Sequence, residues 1–513
     1  MNGAESLVRT ALAAGMEVCF ANPGTTEMPL VVALDFVTGM RSVLGLFEGV
    51  CTGAADGYAR MTGKPAMTLL HLGPGLANGL ANLHNARRAR SPVVNVVGDH
   101  ATWHLAADAP LTSDIASLAS PVSGWLRSAK SAAALGDDMA EAIAASLTPP
   151  GQVATLIVPA DCQWNDAVAV GKPIRVAKRA PVSGATVDGV AKRLRSARRA
   201  TILLGGEALG ERGLNAAARI AAASGAGLMT ETFVARMERG VGIPPATRLP
   251  YFPDQAIDAL AGTDIVILAG AKDPVSFFGY PGVPSRLAPP GADVEVLARV
   301  EEDASGALEA LAEALGAPKS VAAPPTERPS TPSGALTLAS LGAALAALQP
   351  ENAILVDESA TSGGPYGALA SAAKRHTCLM LTGGAIGQGL PTAVGAAIAC
   401  PDRRVIAFQA DGSAMYTLQS LWTMARESLN VTTILCSNRA YRILQLEAAR
   451  AGNVEPGPHL RGLTELEPPA LDWSALARGF GVAAAKAGTA DDLVKHLDRM
   501  LRESGPGLIE ATL

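Results

Sequence analysis

The sequence predicts an α/β protein of three doubly wound parallel-sheet domains, and three observations lead to this fold class. The chain has 513 residues, which exceeds what one hydrophobic core usually holds and indicates about three domains. Short apolar runs alternate with segments of helical periodicity, which is the pattern of βαβ units. Glycine is abundant, with 53 residues, while only 4% of residues are aromatic, and this favours closely packed layers. We place the domains at residues 1–165, 183–318 and 336–513, joined by proline-containing linkers at 165–182 and 317–335.

The composition argues against several functional classes. The net charge is −5 and the isoelectric point is near 5.9, which disfavours a nucleic-acid-binding surface. No run of about 18 uncharged apolar residues occurs without a Gly or Pro break, so we expect no membrane span. The six cysteines show no CxxC spacing, which favours reduced thiols over disulfides or a zinc site. We therefore expect a cytoplasmic protein that lacks a secretory signal.

In the N-terminal domain, each of four predicted strands is followed by a polar residue. The residues are Thr25, Glu48, His71 and Asp99. Ligands of parallel sheets bind at the carboxyl ends of the strands, so these positions predict a site. We expect a Gly-rich turn at 73–75 before a helix that spans Ala77–Arg87.

Each of these four residues also has a purely structural interpretation. Thr25 could cap a helix, Asp99 could belong to a turn, and His71 could be a core histidine with satisfied ring nitrogens. Glu48 is harder to explain in this way, because it follows the apolar stretch 44–47. Acids are rarely buried without a partner or a function.

Two apolar runs in the C-terminal domain also end in polar residues, one in an aspartate and one in an asparagine. The first begins at Val405 and ends in Asp411-Gly412, and the second ends in Asn438. Helical periodicity separates them, so the two strands are expected to be parallel and to end at the same edge. Carboxylate and amide oxygens suit Mg²⁺, which usually takes its remaining ligands from phosphate and water. The sequence therefore predicts a magnesium and phosphate site, although an aspartate that merely caps a helix is the alternative.

These residues resemble the signature of a known family. Asp411-Gly412-Ser413 followed by Ser437-Asn438 is similar to the Gly-Asp-Gly…Asn-Asn motif of thiamine-diphosphate-dependent enzymes, in the branch of benzoylformate decarboxylase and acetolactate synthase large subunits. The resemblance implies that Asp411, Asn438 and the main-chain carbonyl of Ala440 hold Mg²⁺. Ala410 and Ser437 depart from the motif. Since neither replaces a metal ligand, we expect binding of thiamine diphosphate and Mg²⁺ to be retained.

The resemblance extends to other cofactor contacts. The segment that contains Glu48 is similar to the one whose glutamate bonds the aminopyrimidine of the cofactor and activates it. The carbonyl of Gly384 would accept from the 4′-amino group, Ile386 would bend the cofactor, and the hydroxyl of Thr361 would contact the diphosphate. Further cofactor contacts are implied for Gly412, Ser413, Tyr416 and Tyr441.

The substrate pocket resembles benzoylformate decarboxylase only in part. Thr25 stands where that enzyme has a serine that contacts the substrate carboxylate, and His71 matches its first active-site histidine. Acetolactate synthases have no histidine there, although the following Gly-Pro-Gly is similar to theirs. The second histidine is missing, and its segment carries Phe277 and Phe278, which form either a pocket wall or part of the core.

Three further positions are expected to line the substrate pocket. They are Ile443, Leu444 and Glu447. Glu447 replaces an aromatic residue of benzoylformate decarboxylase, and an acid there would disfavour an aryl substrate.

The middle domain shows no nucleotide-binding motif. Its segment 205–210 is rich in glycine but lacks the GxGxxG spacing, so we do not expect NAD. Acetolactate synthases bind FAD in this domain, so the resemblance makes FAD a candidate cofactor. We see no specific FAD motif and do not expect FAD to bind.

The resemblance implies a non-oxidative decarboxylase that converts a 2-oxo acid to an aldehyde, with carboligation as a further outcome. An acetolactate synthase-type carboligase and a catalytically idle cofactor-binding paralogue remain alternatives. Because the family pairs residues such as Glu48 and Asp411 across subunits, a homodimer or a dimer of dimers is implied. No nucleic acid or membrane partner is expected.

Overall fold

The computed structural model describes residues 1–322, 327–452 and 455–513. Residues 323–326 of the predicted linker lie outside this range. The chain forms two compact units. Unit 1 comprises Met1–Val176, Pro329–Leu369 and Leu379–Leu513, and unit 2 comprises Ala177–Arg328 and Ala370–Cys378. Unit 1 contains the first predicted domain and most of the third.

The N-terminal part of unit 1 is a six-stranded parallel sheet in the order β2-β1-β3-β4-β6-β5. Its apolar runs are buried strands because helices cover both faces. The strands are β1 Val18–Asn22, β2 Arg41–Leu44, β3 Ala66–Leu70, β4 Val93–Asp99, β5 Trp125–Ser128 and β6 Val153–Pro159. The helices are α1 Gly3–Ala13, α2 Met28–Phe36, α3 Glu48–Thr62, α4 Leu72–Ala89, α5 Ile115–Ala119, α6 Leu135–Leu147 and α7 Ala160–Trp164.

Unit 2 has a five-stranded parallel sheet in the order β10-β8-β7-β11-β12. The short strand β9 pairs antiparallel with His376–Cys378. The strands are β7 Ala200–Leu204, β8 Gly227–Thr230, β9 Met237–Arg239, β10 Thr247–Arg248, β11 Ile265–Ala269 and β12 Asp293–Ala298. The helices are α8 Gly184–Ser196, α9 Glu211–Ser224, α10 Pro253–Leu260 and α11 Ala304–Ala314.

The C-terminal part of unit 1 contains the parallel strands β17-β18-β16-β15-β13 in that order. The strands of this region are β13 Ala353–Glu358, β14 His376–Met380, β15 Val405–Ala410, β16 Val431–Ser437, β17 Ala483–Ala487 and β18 Gly507–Thr512. The helices are α12 Leu338–Leu348, α13 Gly364–Leu369, α14 Gly389–Ala399, α15 Asp411–Ala414, α16 Ser420–Arg426, α17 Arg442–Arg450, α18 Pro458–Thr464, α19 Trp473–Gly479 and α20 Ala490–Arg502. The prediction of three parallel-sheet α/β domains is confirmed.

Helices α3 and α14 join the two sheets of unit 1. Their backbones approach so closely that a Cβ on Gly57 would lie 2.2 Å from the carbonyl oxygen of Thr392, and one on Gly395 would lie 1.9 Å from that of Ala54. Only glycine fits such a contact. The crossing fixes the position of α3, and therefore of Glu48 at its start, relative to the C-terminal sheet.

The predicted turn at 73–75 is wrong, because α4 begins at Leu72 and these residues form its first turn. Pro74 is compatible with that position, since the first amides of a helix have no intrahelical acceptor. Among the described residues, no helix combines the length and the apolar character that crossing a bilayer requires.

Candidate active site

Asp411 and Asn438 lie at the same edge of the C-terminal sheet. Asp411 directly follows β15 and Asn438 directly follows β16, and these strands are parallel neighbours. Asp411 is buried, and its carboxylate accepts from the amides of Gly412 at 2.8 Å and Arg439 at 2.7 Å. The second hydrogen bond ties the turn after β16 directly to Asp411.

The residues at this edge fit a hard divalent cation. Burial raises the pKa of Asp411, because desolvation disfavours the carboxylate more than its amide donors favour it. A cation would offset that cost. The amide oxygen of Asn438 and the carbonyl of Ala440 complete a set of oxygen donors, and Asn438 Oδ1 lies 3.1 Å from the amide of Ala440. No group of three or more His, Cys, Asp or Glu side chains that could hold a metal ion occurs in the part of the chain that the structure describes. One carboxylate with two neutral oxygen donors suits Mg²⁺ that is shared with a phosphate.

Two tyrosines flank Gly412. A Cβ on Gly412 would lie 2.5 Å from the ring of Tyr441, so the backbone is covered by that ring. Burial, together with the charge and hydrogen bonding of Tyr416, raises the pKa of Tyr441. The amide of Tyr441 donates to the carbonyl of Thr464 at 2.7 Å, which fixes the chain that follows Asn438.

The turn at 383–387 is held by side chains of α4. Asn85 Oδ1 accepts from the amides of Gly383 at 3.1 Å and Ala385 at 3.3 Å, and Asn85 Nδ2 donates to the Ala385 carbonyl at 2.8 Å. His84 Nε2 lies 3.0 Å from the Gly383 carbonyl. Gly384, between them, has φ +80°, and among the described residues no hydrogen bond engages its carbonyl. That carbonyl is therefore available to a ligand.

A buried carboxylate holds the end of the same turn. Glu358 accepts from the amides of Gly387 at 2.8 Å, Gln388 at 3.1 Å and Gly389 at 2.7 Å. Gln409 donates to it at 2.8 Å. Burial raises the pKa of Glu358, while these four donors oppose the shift. The sequence analysis did not identify Glu358 as a site residue, since an acid at a strand end gives no sign of its amide partners.

Glu48 begins α3 and is buried. Its Oε2 accepts from Asn78 Nδ2 at 2.9 Å. Asn82 donates to the carbonyls of Gly49 at 2.8 Å and Gly387 at 3.3 Å, and so connects the start of α3 to the turn at 383–387. Within the described ranges, no hydrogen bond or ion pair joins Glu48 to Asp411 or to the turn at 383–387.

The three asparagines of α4 were missed by the sequence analysis. Asn78, Asn82 and Asn85 lie on one face of the helix, and their spacing of four and three residues was a detectable signal.

His71 lies beside the short helix Thr25–Glu27. Its Nδ1 is 2.7 Å from Glu27 Oε2 and 3.3 Å from Thr26 Oγ1, and 22% of its side chain is exposed. Thr25 is exposed, so the neighbouring Thr26 is the threonine that contacts the histidine. Glu27 is a residue that the sequence analysis missed. The interpretation of His71 as a core histidine with both nitrogens satisfied does not hold, because only Nδ1 has a partner in the described chain.

The remaining predicted residues lie in three places. Thr361 belongs to a short helix that follows β13, the neighbour of β15. Ile443, Leu444 and Glu447 lie on α17, none of whose residues is fully buried. In unit 2, Phe277 and Phe278 are 38% and 54% exposed. Phe277 packs against the rings of Phe233, Tyr251 and Phe278. These phenylalanines are thus not core residues.

Comparisons with known proteins agree with this architecture. Residues 1–118 match the family described as "Thiamine pyrophosphate enzyme, N-terminal TPP binding domain", and residues 364–511 match its C-terminal TPP binding domain. The chain is 51% identical to the "Putative acetolactate synthase large subunit IlvX" of Mycobacterium tuberculosis, covering 100% of this chain and 99% of that protein. It is 30% identical to benzoylformate decarboxylase of Pseudomonas aeruginosa, covering 97% and 96%.

A solved structure shows the same fold across the full chain. The thiamine diphosphate-dependent 4-hydroxybenzoylformate decarboxylase of Rhodococcus jostii superposes with a TM-score of 0.87 at 25% identity, covering 99% of this chain and 98% of that one. The three α/β domains and the two cofactor-binding domains together define a thiamine-diphosphate-dependent enzyme. Within that class, the chain belongs to the family of 2-oxo acid decarboxylases and acetolactate synthases.

Proposed function

We propose that the protein is a thiamine-diphosphate- and Mg²⁺-dependent decarboxylase that converts a 2-oxo acid to an aldehyde and CO₂. The observation that carries this choice is His71. It is partly exposed, its Nδ1 is engaged by the buried carboxylate of Glu27, and its Nε2 has no partner within the described chain. A group of this kind can deliver the proton that an aldehyde product requires.

The residues of unit 1 account for cofactor binding. When bound, thiamine diphosphate supplies the carbon nucleophile and the electron sink for the loss of CO₂. Asp411, Asn438 and Ala440 would hold Mg²⁺ through oxygen atoms. Glu48 would exchange a proton with the aminopyrimidine, and the open carbonyl of Gly384 would orient that ring.

Side chains around these groups complete the proposed site. Ile386 would contact the cofactor through its apolar side chain, and Thr25 and His71 would receive the substrate carboxylate and ketone. Thr361, Gly412, Ser413, Tyr416 and Tyr441 are the proposed further contacts of the cofactor.

A panel of 2-oxo acids tests the proposal. The purified protein is supplied with thiamine diphosphate and MgCl₂, and CO₂ and aldehyde are measured for linear, branched, aryl and polar substrates. We expect equal amounts of CO₂ and aldehyde from at least one substrate class. If no member of the panel releases CO₂, the decarboxylase proposal is wrong and an idle cofactor-binding paralogue is favoured.

A carboligase of acetolactate synthase type is the second candidate. It is favoured by the name of the 51% identical relative and by the Gly73-Pro74-Gly75 stretch. Product analysis with pyruvate separates the two. Acetolactate without acetaldehyde would establish the carboligase, whereas acetaldehyde alone would support the decarboxylase.

A further inference from the structure

The carboxylate of Glu27 contacts the ring of His71 and is fully buried. Its Oε2 is 2.7 Å from His71 Nδ1 and accepts from the amide of Gly24 at 2.8 Å. Its Oε1 accepts from Thr26 Oγ1 at 2.5 Å. A carboxylate without solvent is costly unless it is well hydrogen-bonded or paired, and these three contacts provide that stabilisation.

Two glycines make room for this pair. A Cβ on Gly24 would lie 2.3 Å from the His71 ring, so the imidazole packs directly on the backbone. A Cβ on Gly98, in β4, would lie 1.6 Å from Glu27 Oε1. Both side chains therefore occupy space that any other residue at 24 or 98 would fill.

We propose that Glu27 is a positioning residue that fixes the proton of His71 on Nδ1 and thereby makes Nε2 the atom that exchanges protons with the substrate. A carboxylate can only accept a hydrogen bond, so the short contact requires a proton on Nδ1. The neutral ring then carries its lone pair on Nε2. A proton that His71 gains at Nε2 is therefore the proton that it passes to the substrate. The inference rests on the proposed decarboxylase function only for the identity of the proton acceptor.

Glu27 also has a structural role, and the two roles predict different results. It caps the short helix Thr25–Glu27 through the amide of Gly24. If capping were its whole role, the position of the His71 proton would not depend on residue 27. If Glu27 fixes the His71 tautomer, Glu27→Leu must remove the preference for Nδ1, since leucine has no acceptor. Glutamine does not separate the two roles, because its carbonyl oxygen can replace Oε2 for both donors.

Nitrogen NMR of the cofactor-free protein measures the tautomer directly. The chain has seven histidines, and labelling with [¹⁵N]histidine at a pH where imidazole is neutral gives a pair of ring signals for each. His71→Asn identifies the signals of His71, and the other six histidines serve as internal controls. We expect His71 to carry its proton on Nδ1 in the wild type and to lose that preference in Glu27→Leu.

Gly98→Ala provides an independent variant, because the added methyl group displaces the Glu27 carboxylate without removing it. Gly189→Ala is the matched control, since its Cβ would have no heavy atom within 4 Å. We expect Gly98→Ala to disturb the His71 tautomer and Gly189→Ala to leave it unchanged. A proton on Nε2 in the wild type, or an Nδ1 proton that persists in both Glu27→Leu and Gly98→Ala, would overturn the proposal.

The holoenzyme gives the second measurement. Once a substrate of the panel is known, Glu27→Leu and Gly98→Ala should lower kcat for CO₂ release by about 10²-fold, as the loss of a positioned acid does. Binding of thiamine diphosphate and the KM should change little. Unchanged kcat in both variants would refute the role of Glu27. A wild type that releases no CO₂ would instead refute the proposed function, while the NMR result would still decide the tautomer.

Discussion

At the scale of single residues, Glu48 is the acid that the proposed chemistry depends on most. It is buried, and one neutral amide, that of Asn78, donates to its carboxylate. We expect Glu48→Gln to lower kcat by roughly 10²- to 10⁴-fold, because the amide can keep the contact with Asn78 but cannot exchange a proton. Steady-state CO₂ release at saturating cofactor measures the effect.

Glu17→Gln is the matched control for that substitution. Glu17 is exposed and pairs with Lys64 at 2.7 Å, and exposed pairs contribute about 0–1 kcal/mol to stability. The kcat of Glu17→Gln should equal that of the wild type. If Glu48→Gln behaves like Glu17→Gln, the assignment of Glu48 to proton exchange is wrong.

Asp411 gives a prediction about pH. Burial raises the pKa of Asp411, so this carboxyl remains protonated to a higher pH than an ordinary aspartate. Only the ionised form binds a cation. The affinity for Mg²⁺ with thiamine diphosphate should therefore fall as the pH is lowered through that raised pKa. The rise in unfolding temperature caused by MgCl₂ and cofactor, measured at decreasing pH from neutrality to the onset of acid unfolding, reports this change.

In the protein without Mg²⁺ and cofactor, the contribution of Asp411 to stability should change with pH in the opposite direction. A raised pKa in the folded state means that Asp411 contributes stability at low pH and loses that contribution as the pH rises through the pKa. Asp411→Asn removes the titration, so its response to Mg²⁺ should be weak and independent of pH. A metal response in Asp411→Asn equal to that of the wild type would exclude Asp411 as a ligand.

At the scale of elements, the turn at 383–387 depends on α4 for its shape. Asn85 makes three hydrogen bonds to the backbone of Gly383 and Ala385. We expect Asn85→Ala to weaken the binding of thiamine diphosphate by at least tenfold, about 1.4 kcal/mol, because Gly384 would no longer be held in position. Titration calorimetry with excess MgCl₂ measures the change.

A second buried asparagine separates this effect from general destabilisation. Asn95 accepts from Thr68 Oγ1 at 2.7 Å and donates to Thr155 Oγ1 at 3.1 Å, and among the described residues it makes no hydrogen bond to the turn at 383–387. Both alanine variants should lower the free energy of unfolding by about 1–3 kcal/mol. Only Asn85→Ala should reduce cofactor affinity, and equal affinities in the two variants would contradict the role given to the turn.

Elements also show what the sequence can and cannot predict. Asp411 and Asn438 were predicted at one sheet edge because parallel strands fix where their ends lie, and the register of β15 and β16 confirms that placement. Glu27 was not predicted, because its partner His71 lies 44 residues later, between β3 and α4, and no local pattern links the two. The turn expected at 73–75 became helix because Pro74 also satisfies a first helical turn.

At the scale of the whole molecule, the question is how many chains form one site. Unit 1 contains both Glu48 and the Asp411 edge, and the crossing of α3 and α14 holds them in one rigid arrangement. No hydrogen bond or ion pair joins these two groups in the chain as described. We expect a homodimer in which each site takes Glu48 from one chain and Asp411 from the other, as the family resemblance implies.

Complementation between two inactive variants tests this arrangement. Chains that carry Glu48→Gln and chains that carry Asp411→Asn are co-expressed with different affinity tags, and mixed dimers are isolated by two successive purifications. If the sites are shared, one site of each mixed dimer has both native residues, so about half of the wild-type activity should return. If each site lies within one chain, every site has one substitution and the mixed dimers should be as inactive as either variant alone. Each variant co-expressed with itself under both tags provides the baseline, and light scattering of the purified sample establishes that the species assayed is the dimer or a dimer of dimers.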